Sequence, residues 1–174
     1  MKKLLIVLMI MVYPFFSCAG QENQSLFISN EKFTLRYSTR SDIEKILGKP
    51  QEIKYFERGG EDFFWKNFTV CSYDESRLRF HYDQDGAIIR MTVNAGYSGK
   101  VRFLEKDIKS IIKEDILNLV KTFENKNDYR GTYISDKYID YDFVLPGNSV
   151  ITYGFWFDTS GKTTWIDFYY TSPW

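Results

Sequence analysis

The chain has little of what catalytic and metal-binding sites are usually built from. Its 174 residues include one histidine, His81, and two cysteines, Cys18 and Cys71. A zinc site draws on three or four His, Cys or carboxylate ligands, so metal ligation has almost nothing to work with. A Cys–His nucleophile pair would have to come from Cys71 and His81. Cys71 sits in the apolar run Phe68-Thr69-Val70-Cys71, the setting of a buried small hydrophobe. No Gly-x-Ser-x-Gly elbow, Ser-x-x-Lys motif or phosphate-binding glycine loop is present. The expectation is a protein that is not an enzyme and needs neither cofactor nor metal. An excess of one sign of charge is missing as well, with 23 Lys and Arg against 23 Asp and Glu. Without a clustered basic excess, nothing favours a nucleic-acid partner. The longest apolar run, Leu4 to Val12, is too short for a comfortable membrane-spanning helix.

That run does have a use. Met1-Lys2-Lys3, the apolar stretch and then Pro14-Phe15-Phe16-Ser17-Cys18-Ala19-Gly20 form an export leader. The layout resembles a bacterial lipoprotein signal, in which the cysteine after the cleaved leader carries the lipid. The resemblance implies lipid attachment at Cys18 and a chain anchored to a bacterial cell-envelope membrane, on the periplasmic side or the surface. Phe15 stands where that pattern usually has an aliphatic residue. With Cys18 lipidated, Cys71 is the only remaining thiol and no internal disulfide forms. The expected organisation is a leader over 1–17, a polar tether over 18–32 and two α+β units over 33–97 and 98–174.

Aromatics are abundant, at 18% of residues, which leans the fold towards β-structure. The chain also repeats itself. Leu78 to Gly86 leads into Ile88 to Val93, and Gly154 to Gly161 leads into Thr163 to Phe168, with Phe80, Asp83 and Gly86 matching Phe155, Asp158 and Gly161 at a shift of 75. Each is an alternating strand, an Asp/Gly turn and a second alternating strand, the signature of a hairpin. The turn aspartates are too few and too irregularly spaced for a calcium loop, and turn formation accounts for them.

Ser41 to Pro50 reads as a short helix capped by Ser41 and Glu44 and ended by Gly48. Extended segments follow up to the first hairpin. Ile108, Ile111, Ile112, Ile116, Leu119, Val120 and Phe123 then show helical spacing, predicting one amphipathic helix over 104–123 or two broken near Glu114-Asp115. Tyr-rich strands over 133–144 and the second hairpin close the chain. The predicted fold class is α+β: two helix-then-antiparallel-meander repeats forming a joined sheet with helices on one face.

Thr39 to Pro50, with its Leu-Gly-x-Pro ending, the aromatic Trp65 and the closing Phe80-His81-Tyr82-Asp83-Gln84-Asp85-Gly86 hairpin resemble β-lactamase-inhibitor-protein-like domains and the small lipoprotein of the bacterial β-barrel assembly machinery. The likeness runs over about residues 33 to 94. The second half keeps the hairpin but lacks Leu-Gly-x-Pro. The resemblance implies a non-enzymatic domain that binds other proteins, in tandem copies whose sheets join.

Strand parity then sorts the hairpins. Leu78, Phe80, Tyr82, Ile89, Met91 and Val93, with Tyr153, Phe155, Phe157, Ile166 and Phe168, fall on the side expected to meet helix. Arg79, His81 and Arg90 in the first copy, and Trp156, Trp165 and Tyr169 in the second, fall on the other. Trp, Tyr and Arg are the residues over-represented at interface hot spots. These six are the candidate contacts for a protein partner. Stacking of a small ligand or glycan in a groove between the halves is the other use such aromatics have.

Overall fold

The computed structural model describes residues 26–57, 67–103, 105–123, 127–145 and 147–171. The leader with Cys18, the turn expected at 58–62 and the start of the strand expected from Phe63 lie outside the described residues.

The first half contributes β1 (Leu26–Ile28), β2 (Glu31–Phe33), α1 (Arg40–Leu47), β3 (Glu52–Phe56), β4 (Phe68–Tyr73), β5 (Leu78–Tyr82) and β6 (Ile88–Asn94). Next come β7 (Val101–Phe103), β8 (Lys106–Asp107), a 3-10 turn (Ile108–Ser110) and α2 (Lys113–Lys121). The chain closes with β9 (Tyr129–Ile134), β10 (Tyr138–Val144), β11 (Val150–Phe157) and β12 (Thr163–Thr171). The fold is α+β. Eight strands form an antiparallel sheet in the order β3-β4-β5-β6-β12-β11-β10-β9, and four short ones form a second sheet, β2-β1-β7-β8.

One face of the large sheet carries the core. Phe80, Tyr82, Met91 and Val93 from the first hairpin and Tyr153, Phe155, Ile166 and Phe168 from the second are buried there, with Ile43 of α1 and Ile116 and Val120 of α2. The cover is not helical alone. Leu26 and Ile28 of β1 and Val101 and Phe103 of β7 belong to the same core, and the Phe103 ring lies 5.3–5.9 Å from those of Tyr153, Phe155 and Phe168. Full burial of one such ring stabilises the fold by about 2–3 kcal/mol. The polar tether expected over 18–32 therefore gives way to strand at Leu26, because Leu26, Ile28 and Phe33 supply an apolar face that the core accepts.

Both helices start later or earlier than local sequence suggests, and for one reason. The N-cap of α1 is Thr39, not Ser41: its hydroxyl accepts from the Asp42 N–H and the Asp42 carboxylate accepts from the Thr39 N–H at 3.0 Å. Thr39 is bridged to Ala87, and the Arg40 N–H donates to the Gly86 carbonyl. The helix begins where the chain leaves the hairpin turn. The helix predicted over 104–123 is confined to α2 in the same way. Ile112 is bridged to Lys162 and the Lys113 N–H donates to the Gly161 carbonyl. Upstream, Ile108 and Ile111 reach the core from the 3-10 turn and the residue after it. The break falls before Glu114-Asp115, and Asp115 accepts from the Ile112 N–H at 3.1 Å as the helix cap.

The hairpin turns share their bonding. Asp83 accepts from the N–H groups of Asp85 and Ala87, and Asp158 from those of Ser160 and Lys162. Gly86 and Gly161 both take φ +80°, the left-handed conformation that favours glycine. Both hairpins also shift register at matching places, between His81 and Tyr82 and between Trp156 and Phe157. The first of these bulges corrects the parity read from sequence. Tyr82 pairs with Ile88, so Ile88 enters the core, while Ile89 packs in a separate cluster with Phe68, Val70 and Phe56. A one-residue insertion in a ladder changes the face that the next side chain takes.

Candidate functional site

The outer face of the large sheet is built by strand alternation. The strand register lays out three rows across it. Tyr138, Trp156, Trp165 and Asn94 form the first, on β10, β11, β12 and β6. Asp140, Gly154, Asp167, Thr92 and Arg79 form the second, and Asp142, Thr152, Tyr169, Arg90 and His81 the third. Among the described residues, the helices, the 3-10 turn and the small sheet each contribute apolar residues to the core on the opposite face.

The six residues selected from sequence do share this face, but not one state. Arg79, Arg90, Trp156, Trp165 and Tyr169 are half-buried, while His81 is buried. The His81 ring stacks on Phe68 with centroids 5.6 Å apart, so it belongs to the Phe68–Val70–Ile89 cluster. Arg90 lies across the seam between β6 and β12 and holds Asp167 through two hydrogen bonds, Nε–Oδ1 at 2.8 Å and Nη2–Oδ2 at 2.6 Å. Its guanidinium also lies over the Tyr169 ring at 5.9 Å. Arg79 lies over Trp165 at 5.4 Å. Arginine stacked on an aromatic gains a cation–π attraction and holds the ring in place. Cys71 points into the core, where burial pushes its thiol up, and His81 points the other way. They form no catalytic pair. Among the described residues no group of three or more His, Cys, Asp or Glu side chains could hold a metal.

Three residues on β10 belong to this face and were not singled out from sequence. The Tyr138 ring lies 4.3 Å from Trp156, centroid to centroid, and its hydroxyl donates to Asp140 at 3.0 Å. Asp140 also accepts from the Tyr133 N–H at 3.1 Å. Asp142 accepts from the Thr152 hydroxyl at 2.7 Å. Burial raises the Asp142 carboxyl above its ordinary value; the Thr152 hydrogen bond opposes this and the charge of Asp140 adds to it. Burial also raises the Tyr169 phenol, and the nearby charges of Asp142, Asp167 and Asp140 act in the same direction. The signal in sequence was the alternation Tyr138-Ile139-Asp140-Tyr141-Asp142-Phe143. Tyrosine on both parities obscured it: Tyr141 is core and Tyr138 is not.

The face is thus divided. Aromatic rings and carboxylates occupy the β9–β12 side, arginines and the His81 cluster the β3–β6 side, and the Arg90–Asp167 pair ties them. Comparison of the chain with protein-family models, curated proteins and solved structures finds no match. Among the described residues no helix is long and apolar enough to cross a membrane.

Proposed function

We propose that this chain is a lipoprotein anchored through Cys18 to a bacterial cell-envelope membrane, and that it acts as a non-catalytic module gripping a protein partner with the outer face of its large sheet. The observation that carries the binding part is the Tyr138–Trp156–Trp165 band beside Arg79 and Arg90 on the face opposite the core. Half-buried aromatics held by neighbours lose little entropy when a partner covers them, which is the property of a hot spot.

The same reading takes the fold as two copies of one helix-then-meander unit, as in the β-lactamase-inhibitor-like domains that the sequence resembles. Support comes from the register. Phe80 pairs with Met91 as Phe155 pairs with Ile166, and Thr92 pairs with Asp167, its own counterpart at the shift of 75. The docking of each helix start on its hairpin turn is a second correspondence. A small ligand or glycan between the halves has less behind it, since the halves meet edge to edge and Arg90, Thr92 and Asp167 fill the seam.

The test is photo-cross-linking of the full-length chain in envelope membranes, with Trp156→Ala and Trp165→Ala compared with wild type. The expected result is loss of a cross-linked protein in both variants with unchanged circular dichroism. Equal capture by the variants, or their unfolding, defeats the reading.

A further inference from the structure

Charge on the outer face points to the chemistry of the partner. Among the described residues several carboxylates of the helices and hairpins have a cation within 4.0 Å: Asp42 has Lys45, Glu44 has Arg40, Asp83 has Arg36, Asp115 has Lys106 and Asp167 has Arg90. Asp140 and Asp142 differ. Neither has a Lys or Arg within that distance among the described residues, and each is held by neutral donors, Tyr138 and Tyr133 for one and Thr152 for the other. Arg130 on β9 is near enough for its charge to act on Asp142, but it makes no ion pair. The two residues stand two apart on one strand and face the same way, their Cα positions about 7 Å apart. Two like charges, partly removed from water and oriented by neutral hydrogen bonds, are costly unless a cation answers them.

The ring pair beside them is equally prepared. Gly154 lies between Asp140 and Asp167 in the sheet, and a Cβ there would come within 2.9 Å of the Tyr138 hydroxyl and 3.3 Å of the Trp156 ring. The missing side chain lets the Tyr138 ring reach across β11 to Trp156, tilted 41° to it. An apolar surface next to two carboxylates suits a side chain with an aliphatic stem and a positive end.

We propose that the protein partner docks a Lys or Arg side chain here, its cation between Asp140 and Asp142 and its stem across Tyr138 and Trp156. This rests on the docking face proposed above and names what that face selects. Anionic segments are repelled at the same place, so the pair sets specificity as well as affinity.

The experiment titrates the full-length chain with synthetic decapeptides alternating Gly–Lys, Gly–Glu or Gly–Ser, read by tryptophan fluorescence at physiological ionic strength. The variants are Asp140→Asn/Asp142→Asn, which keeps the acceptors for Tyr138, Tyr133 and Thr152, and Glu105→Gln/Glu114→Gln, which removes two charges away from the carboxylate pair. The Gly–Lys peptide is expected to bind wild type, to bind the Glu variant equally and to bind the Asp variant about tenfold more weakly. Absence of Gly–Lys binding to wild type, equal binding to the Asp variant, equal loss in both variants, or Gly–Glu binding as tight as Gly–Lys overturns the inference. Those outcomes leave the tryptophan cross-linking result to decide the docking face separately.

Discussion

Arg90 on β6 and Asp167 on β12 form a two-pronged ion pair across the seam where the two four-stranded halves meet, at 2.8 and 2.6 Å. Asp167 is the buried partner, with its side chain 4% exposed against 22% for Arg90. Removing Arg90 leaves a carboxylate in a partly dry site with its strongest partner gone. Arg90→Ala is expected to cost about 3 kcal/mol, measured by urea unfolding. Replacing both partners, as Arg90→Met/Asp167→Leu, is expected to cost less than the single change, because no charge is then stranded. Equal losses would mean that the pair contributes nothing specific at the seam.

Acid should weaken the fold through carboxylates bound to backbone N–H groups and cations. Hydrogen bonds from Ser160 and Lys162 hold Asp158 below its ordinary value, and those from Thr39 and Lys45 do the same for Asp42. A carboxyl whose pKa is depressed in the folded state contributes stability above its unfolded value, and that stability is lost as pH falls through the folded one. Thermal melts of wild type should therefore fall below the ordinary carboxylate range. Asp158→Asn should start lower at neutral pH and show a flatter decline. An identical pH slope in the variant would count against this role for the turn.

Asp142 runs in the opposite direction. Its folded value is raised by burial, so its contribution is favourable below the unfolded value and is lost as pH rises through the folded one. Asp142→Asn should melt higher than wild type at neutral pH, with the advantage vanishing in acid. A lower melting temperature at neutral pH would show that the carboxylate is structurally required. A gain supports retention of the carboxylate for binding rather than for stability.

Gly154 is required by its neighbours and not by its backbone angles. Gly154→Ala places a Cβ against Tyr138 and Trp156, and overpacking of this kind costs about 1–3 kcal/mol. The expected sign is a shift in tryptophan emission together with the lower stability, because the Tyr138 ring must leave Trp156. Unchanged emission would mean that the rings have room to yield.

Much of the architecture was legible in the chain. The hairpins, their Asp/Gly turns, the apolar inward residues other than Ile89 and the burial of Cys71 follow from local alternation and turn chemistry. The outward grouping of Arg79, Arg90, Trp156, Trp165 and Tyr169 also follows from parity, since residues two apart on a strand share a face. His81 shares that parity, but it is buried because the Phe68 ring lies against it. Exposure depends on neighbours that strand parity does not specify.

By itself, then, the sequence determined which segments become strands and hairpins and which side chains alternate to the core, because those choices depend on neighbours within a few residues. The tertiary structure decided the rest. It set both helix starts through bonds to hairpin turns far along the chain, turned Ile89 outward through a bulge, and drew Leu26 to Phe33 into strands. It also placed Asp140 and Asp142 beside Tyr138 and Trp156. Each of these depends on pairing between segments distant in sequence, where register, not local preference, sets what touches what.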